Sequence, residues 1–435
     1  MSFSESSQGD DTTTVGSGRS MSIFESFDDL CLSPQLAAAL SPVRVPVVAP
    51  APFVATFPDS TGVNDKVNTE ASSLIKEHGR RGDLSACWTC WNNLIVDGRV
   101  PNEITVGCMV DALVSNREVR HAESLVNQWK HKVRPNTVVY STLIHGWAKQ
   151  NDAKRALAIF DQMRNEGVPC NAVTYNCMIH ACVRVGDMQG ALELLSAMKE
   201  TSALRPDKFT YSTIIKGYCG RGEIESALFL FSEMLAENLT PDLVIYNTLL
   251  DGCVKTRHNE VCDKLLDDMT TRWRIQPNSY TLSILIKRFG RQGDLTKAFQ
   301  LVEQLPRRYG FRANAHVWTC LISACVAHGR VHTAESVFNS MRGVPQGGRP
   351  VLEFSNPVDI RLVSSALAMA AMCPPDAKTY ETLAQGFLRF NDVKKAVETV
   401  REGLRKFRGQ LSPQCVAQVS QVAAQYGMDV TALCV

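Results

Sequence analysis

The 435-residue sequence predicts an all-α fold, a solenoid of about nine helix-turn-helix repeats, on three observations. A motif with tyrosine at its fourth place starts at Thr137, Ala172, Lys208 and Leu243, at spacings of 35, 36 and 35 residues. Within each unit, apolar residues recur at helical intervals on two short segments separated by a break. The twentieth place of every unit is small: Cys87, Ala122, Ala156, Ala191, Ala227, Cys262, Ala298, Ala334 and Ala396. A small side chain lets helix backbones approach, and stacking buries the apolar face that one hairpin cannot bury alone.

The first 66 residues stand apart. They are rich in Ser, Thr, Pro, Val and Ala, and runs such as Ser41-Pro42 resist both helix and sheet. A short helix is expected near 22–32. Eight acids and three bases give this segment −5, leaving 43 bases and 36 acids, or +7, for the rest. That balance is compatible with phosphate contacts. A transit peptide should be Arg-rich and poor in acids. Here Glu5, Asp10, Asp11, Glu25, Asp28 and Asp29 face Arg19, so 1–66 reads as a disordered or targeting segment without a convincing signal. No stretch of about 18 apolar residues exists, so no membrane span is expected. The 15 cysteines are scattered and odd in number, which fits free thiols acting as small hydrophobes in a reducing compartment.

Residues 67–342 form the repeat array, with units at 68–102, 103–136, 137–171, 172–207, 208–242, 243–278 and 279–314, and an eighth from Ala315. The first helix of a unit buries residues such as Leu143, Ile144 and Trp147. A break follows, often at glycine, and a second helix carries Ala156, Leu157, Phe160 and Met163. Methionine recurs at Met163, Met198, Met234, Met269 and Met341 as adaptable filler. Turns holding Pro135, Pro206, Pro241 and Pro277 close the units. The register then breaks over 343–376, an irregular insertion with one helix. Its 343–357 part is loop-like. Its 358–372 part is apolar, with Leu362, Leu367 and Met369 as buried candidates, expected to pack on the solenoid or else to hold a protein partner. Residues 377–435 hold the last repeat and capping helices.

The pattern Val173-Thr174-Tyr175-Asn176, Ala191-Leu192, Met198 and Pro206-Asp207 resembles the pentatricopeptide repeat family, P-class, over roughly residues 68–411. The Trp-x-x-Leu-Gly-x-x-Tyr opening of the tetratricopeptide repeat is absent. The resemblance implies a right-handed superhelix that binds single-stranded RNA in a mitochondrion or chloroplast. It implies action in RNA processing, stabilisation or translation, with no cofactor, metal or catalysis. The acidic N-terminal segment leaves a cytoplasmic location open, and a scaffold for protein partners is the rival function.

The resemblance further implies that the fifth and last residues of each unit read one base. The fifth places are Ser72, Gly107, Ser141, Asn176, Ser212, Asn247, Ser283 and Thr319; the last places are Asn102, Asn136, Asn171, Asp207, Asp242, Asn278, Asn314 and Asp376. Both columns are polar and draw on few residue types. Aspartate only accepts, which suits the imino N–H of uracil or guanine, whereas asparagine can donate to the bare ring nitrogen of adenine or cytosine. A short hydroxyl at the fifth place leaves room for a purine, and asparagine reaches a pyrimidine. Gly107 reads nothing, and Glu381 of the ninth unit suits no base. The expected target is 5′-A-N-A-U-G-Y-A-G. Second-place Val138, Val173, Phe209, Val244 and Tyr280 would sandwich flat bases. Lys149, Arg184, Lys216, Arg221, Lys255, Lys287 and Arg288 are candidate phosphate contacts.

Motifs suggesting chemistry are weaker. Cys87-Trp-Thr-Cys90 has metal-ligand spacing, but Cys87 lies in the small-residue column and no second pair follows. His121-Ala-Glu123 and His258-Asn-Glu260 match half of a zinc deaminase signature and lack its Pro-Cys-x-x-Cys partner. No phosphate-binding loop or nucleophile elbow is present.

Overall fold

The computed structural model describes residues 62–96, 98–201, 204–344, 357–407 and 409–428. The expected helix at 22–32 and most of the 343–357 loop lie outside them. Among the described residues there are 20 α-helices and no strand. The first five pairs are α1 (Gly62–Arg81) with α2 (Leu84–Val96), α3 (Glu103–Ser115) with α4 (Val119–Trp129), α5 (Thr137–Lys149) with α6 (Ala153–Asn165), α7 (Ala172–Val185) with α8 (Met188–Glu200), and α9 (Lys208–Arg221) with α10 (Ile224–Ala236). Then come α11 (Leu243–Thr256) with α12 (Asn259–Asp267), α13 (Ser279–Gln292) with α14 (Leu295–Tyr309), and α15 (Ala315–Ala327) with α16 (Val331–Met341). A lone α17 (Pro357–Ala370) precedes the pair α18 (Ala377–Arg389) and α19 (Val393–Lys406), and α20 (Pro413–Gln425) closes the array. Helix α1 reaches back to Gly62, so the helical array begins inside the segment set apart as a tail.

First helices stack on first helices in an unbroken row from α1 through α3, α5, α7, α9, α11, α13 and α15 to α18. The insertion does not interrupt this row. Helix α17 packs instead on the second-helix layer, against α14 and α16. Val363, Ala366, Leu367 and Ala370 are buried there, Leu362 and Met369 are half-buried, and Ser365 Oγ donates to Glu303 Oε1 at 2.8 Å. The apolar face of α17 is therefore covered by its own chain, as its sequence suggested.

Packing explains the repeating columns. All nine twentieth-place residues are completely buried, and the methionine column is buried with them. Leu157 is the exception to the second-helix stripe: it is exposed, one place past the small Ala156. A second seam runs between first helices. A Cβ on Gly146 would come within 2.9 Å of Val114, and one on Gly386 within 2.7 Å of Val326. Where the earlier helix instead offers glycine, as at Gly79 and Gly290, the next presents Ala112 and Ala324. Bulk on one side is matched by its absence on the other, which lets the backbones close without off-rotamer side chains. Fourth-place tyrosines tie their units to the second-helix layer, as Tyr246 and Tyr380 show. Tyr246 lies edge-on to Phe231 at 5.5 Å and Tyr380 to Phe338 at 4.8 Å. Their hydroxyls donate to Asp268 and Glu402 at the ends of the second helices, which satisfies buried phenols.

Candidate nucleic-acid interface

The second place of each first helix lies on its outer face, beside completely or largely buried third and fourth places. Val138, Val173, Phe209, Val244 and Tyr280 are each more than half exposed. Ile104 belongs to the same row and is equally bare, a residue the sequence reading passed over although it occupies the same column. A single exposed apolar side chain means nothing, but six in register on successive units form a stripe with no role in the fold. Val138, Val173 and Phe209 line one open pocket of about 760 Å³ together with Ser141, Asn171, Asn176 and His180. Three apolar side chains and three expected base-reading residues thus meet in one groove.

The last-place residues have a structural duty that the sequence reading did not foresee. Each is the N-cap of the next unit's first helix, with extended backbone and a side-chain oxygen that accepts helix N–H groups. Asn102 accepts from Thr105, Asn136 from Val138 and Val139, Asn171 from Thr174, and Asp207 from Thr210. Asp242 accepts from Val244 and Ile245, Asn278 from Tyr280 and Thr281, Asn314 from Val317, and Asp376 from Thr379. Capping therefore accounts for short polar acceptors throughout this column. It does not account for which of Asp and Asn stands at each unit, because both cap equally well. All eight are exposed or half-buried, so the rest of each carboxylate or carboxamide faces outward. Lys208 holds one outward oxygen of Asp242 at 3.2 Å, and Glu103 accepts from Asn136 at 3.4 Å.

The fifth-place residues sit deeper. Ser72, Ser141, Asn247, Ser283 and Thr319 are buried, while Asn176 and Ser212 are half-buried. In five units a threonine at the third place of the following helix touches both members of the pair. Thr105 Oγ1 lies 2.9 Å from Ser72 and 2.9 Å from Asn102. Thr174 lies 2.7 Å from Ser141 and 3.0 Å from Asn171; Thr210 lies 2.6 Å from Asn176 and 2.9 Å from Asp207. Thr281 lies 2.8 Å from Asn247 and 3.2 Å from Asn278; Thr379 lies 2.8 Å from Thr319 and 2.7 Å from Asp376. The other three units have Val139, Ile245 and Val317 in that place. Ser283, lacking the hydroxyl partner, donates to Tyr280 O in its own helix at 2.7 Å. Glu381 is buried, accepts from Ser412 N and pairs with Lys378 at 2.9 Å, which makes it a structural anchor for the C-terminal cap.

The basic candidates divide. Arg288 is buried and forked onto Asp263 at 2.5 and 2.6 Å, so it ties α13 to α12 and is withdrawn from phosphate duty. Arg221 donates to Gly186 O at 2.7 Å and pairs with Glu223, and Lys255 pairs with Asp251 at 2.7 Å. Lys149, Arg184 and Lys216 form no ion pair among the described residues. The pKa of His180 falls below the usual range through partial burial, then the charges of Arg184, His145 and Lys216.

Among the described residues no cluster of His, Cys, Asp and Glu could hold a metal. Cys87 is buried in the second-helix seam, its thiol pushed up by burial and donating to Ile75 O at 3.5 Å. No described helix is long and apolar enough to cross a membrane.

Comparison with known proteins bears on this arrangement. The family described as "PPR repeat family" matches residues 135–184, 171–220, 206–244 and 241–291, and that described as "PPR repeat" matches 280–309 and 316–344. A chloroplastic pentatricopeptide repeat-containing protein of Arabidopsis thaliana is 23% identical over 307 residues, covering 70% of this chain and 38% of its own. A mitochondrial one from the same plant is 30% identical over 129 residues, covering 30% and 18%. The chain thus spans well under half the length of these curated relatives. The crystal structure of the maize pentatricopeptide repeat protein PPR10 aligns with 82% of this chain and 56% of its own, at 16% identity and a TM-score of 0.41. On its repeats, their register and the family-model matches, residues 135–309 and 316–344 of the chain are repeats of the pentatricopeptide repeat family.

Proposed function

We propose that this protein binds single-stranded RNA along the groove of its first helices, one base per unit, and acts by occluding or remodelling the bound segment. The observation that carries this is the in-register row of exposed apolar second-place residues beside outward-facing Asp and Asn side chains. Flat bases slot between such side chains, and an edge-on carboxylate or carboxamide distinguishes an imino N–H from a bare ring nitrogen. Lys149, Arg184 and Lys216 supply phosphate contacts. The near-uniform 35-residue period fits the P-class of the family. The target read from the pairs is 5′-A-N-A-U-G-Y-A-G. Family relatives named as chloroplastic and mitochondrial support an organelle as the place of action in RNA processing, stabilisation or translation.

The test is a titration of the full chain with that RNA, a scrambled RNA and duplex DNA at two salt concentrations. Preference for the designed strand persisting at the higher salt supports the proposal. Equal, salt-labile binding to all three reduces it to electrostatics, and absence of RNA binding favours a scaffold for proteins.

A further inference from the structure

The five bridging threonines differ from the three apolar residues at the same place in one respect: they join the two residues expected to contact a base. We propose that this third-place threonine is a positioning residue for the base choice of the preceding unit, so that each reading site is completed by its neighbour. The proposal rests on the base-reading function above.

Proton accounting at Thr210 shows how it would work. Its Oγ1 accepts the Asp207 backbone N–H at 3.2 Å, which leaves its single proton to donate. Asp207 Oδ1 already accepts the Thr210 N–H at 2.8 Å, and Asn176 Oδ1 lies nearer the hydroxyl, at 2.6 Å against 2.9 Å. The threonine therefore holds the oxygen end of the Asn176 carboxamide, and the NH₂ end is left to face the groove. Thr281 does the same to Asn247, accepting Asn278 N–H at 3.3 Å and donating at 2.8 Å. A fixed pair of donors at the fifth place suits the O2 acceptor of a pyrimidine, the base class expected at both units. Without a tether the carboxamide can present either end, and one end repels that acceptor.

The hydroxyl is not needed to start the helix. Asp242 caps α11 through Val244 and Ile245 N–H, both at 3.1 Å, with isoleucine at the third place. Asn136 and Asn314 cap their helices beside Val139 and Val317 in the same way. What threonine adds is the link between the pair. Consequently the Asn176/Asp207 and Asn247/Asn278 units are preset, whereas in Ser212/Asp242 and Ser283/Asn314 no third-place hydroxyl links the two residues. A specificity change engineered at the fifth and last places alone is expected to be incomplete unless the following third place also matches.

The test uses the full chain with Thr210→Val, Thr210→Ser, Asn176→Ala and Ile245→Thr, and RNAs that differ only at the fourth or fifth base. Thr210→Val is expected to lower the preference for uracil at the fourth base roughly five-fold, the scale of one net hydrogen bond, with little change for mismatched RNAs. Thr210→Ser restores it, and Ile245→Thr sharpens discrimination at the fifth base. If Thr210→Val leaves the preference intact while Asn176→Ala lowers it, or weakens all RNAs alike, the threonine only supports the fold. If Asn176→Ala itself leaves the preference unchanged, base reading fails and not merely its tether. Should Thr210→Val unfold, Ile245→Thr alone decides: no gain at the fifth base overturns the proposal.

Discussion

The seam between units and the groove along them are built from the same helices under opposite rules. In the seam, size is everything. Ala227 and its eight counterparts are completely buried, and Gly146 stands where any Cβ would strike Val114. In the groove the second-place residues are apolar yet bare, and polar residues face outward beside them. The seam is held by contacts within the chain. The groove's exposed stripe gains little from folding, which is why a bound partner is proposed for it.

The sharpest way to break that contrast is to damage each side in turn. Ala227→Leu forces a branched side chain into a filled seam and is expected to cost about 1–3 kcal/mol, with a clear drop in Tm. The matching change in the groove, Val173→Asp, should leave Tm nearly unchanged because the side chain is already in water, while RNA affinity falls. Calorimetry paired with RNA titration checks both. Equal loss of Tm from the two variants would erase the distinction between seam and groove.

A smaller effect should appear with pH. Partial burial, then nearby Arg184, His145 and Lys216, disfavour the charged imidazole of His180, so its folded pKa lies below the ordinary 6.5. The unfolded chain then takes up a proton first as pH falls from 6.5, and fold stability declines through that window. A phosphate in the groove would favour the charged imidazole, so RNA affinity should rise as stability declines. Titrations at stepped pH with His180→Gln as control read this directly; identical pH profiles for the two proteins would remove His180 from the groove's electrostatics.

How much of this was legible in the sequence differs between the two regions. The twentieth-place column and the methionines gave away the seam, because steric rules act on residue size and size is written in each letter. The complementary seam at Gly146 and Val114 was missed, since it appears only when a residue of one unit is set against a different place in the next. The groove was harder. The Asp/Asn column reads as recognition, yet every member is a helix cap, and capping selects the same residue types. Nothing in the sequence singled out the third-place threonines, because the second partner of Thr174, Thr210 and Thr281 lies 33 or 34 positions earlier. Arg288 looked like a free cation because its partner Asp263 lies on another helix. Local chemistry is legible along the chain, but pairing across units is not.

Asp242→Asn offers the most direct test of base reading, because Asn278 shows that asparagine caps the corresponding helix and the fold should survive. The measurement is the affinity of wild-type and variant chains for two RNAs that carry G or A at the fifth base. If the last column reads bases, the wild type prefers G and the variant shifts toward A, with the other positions unaffected. If the variant keeps the G preference, or loses both RNAs equally, Asp242 is a helix cap only and the groove does not read sequence through this column.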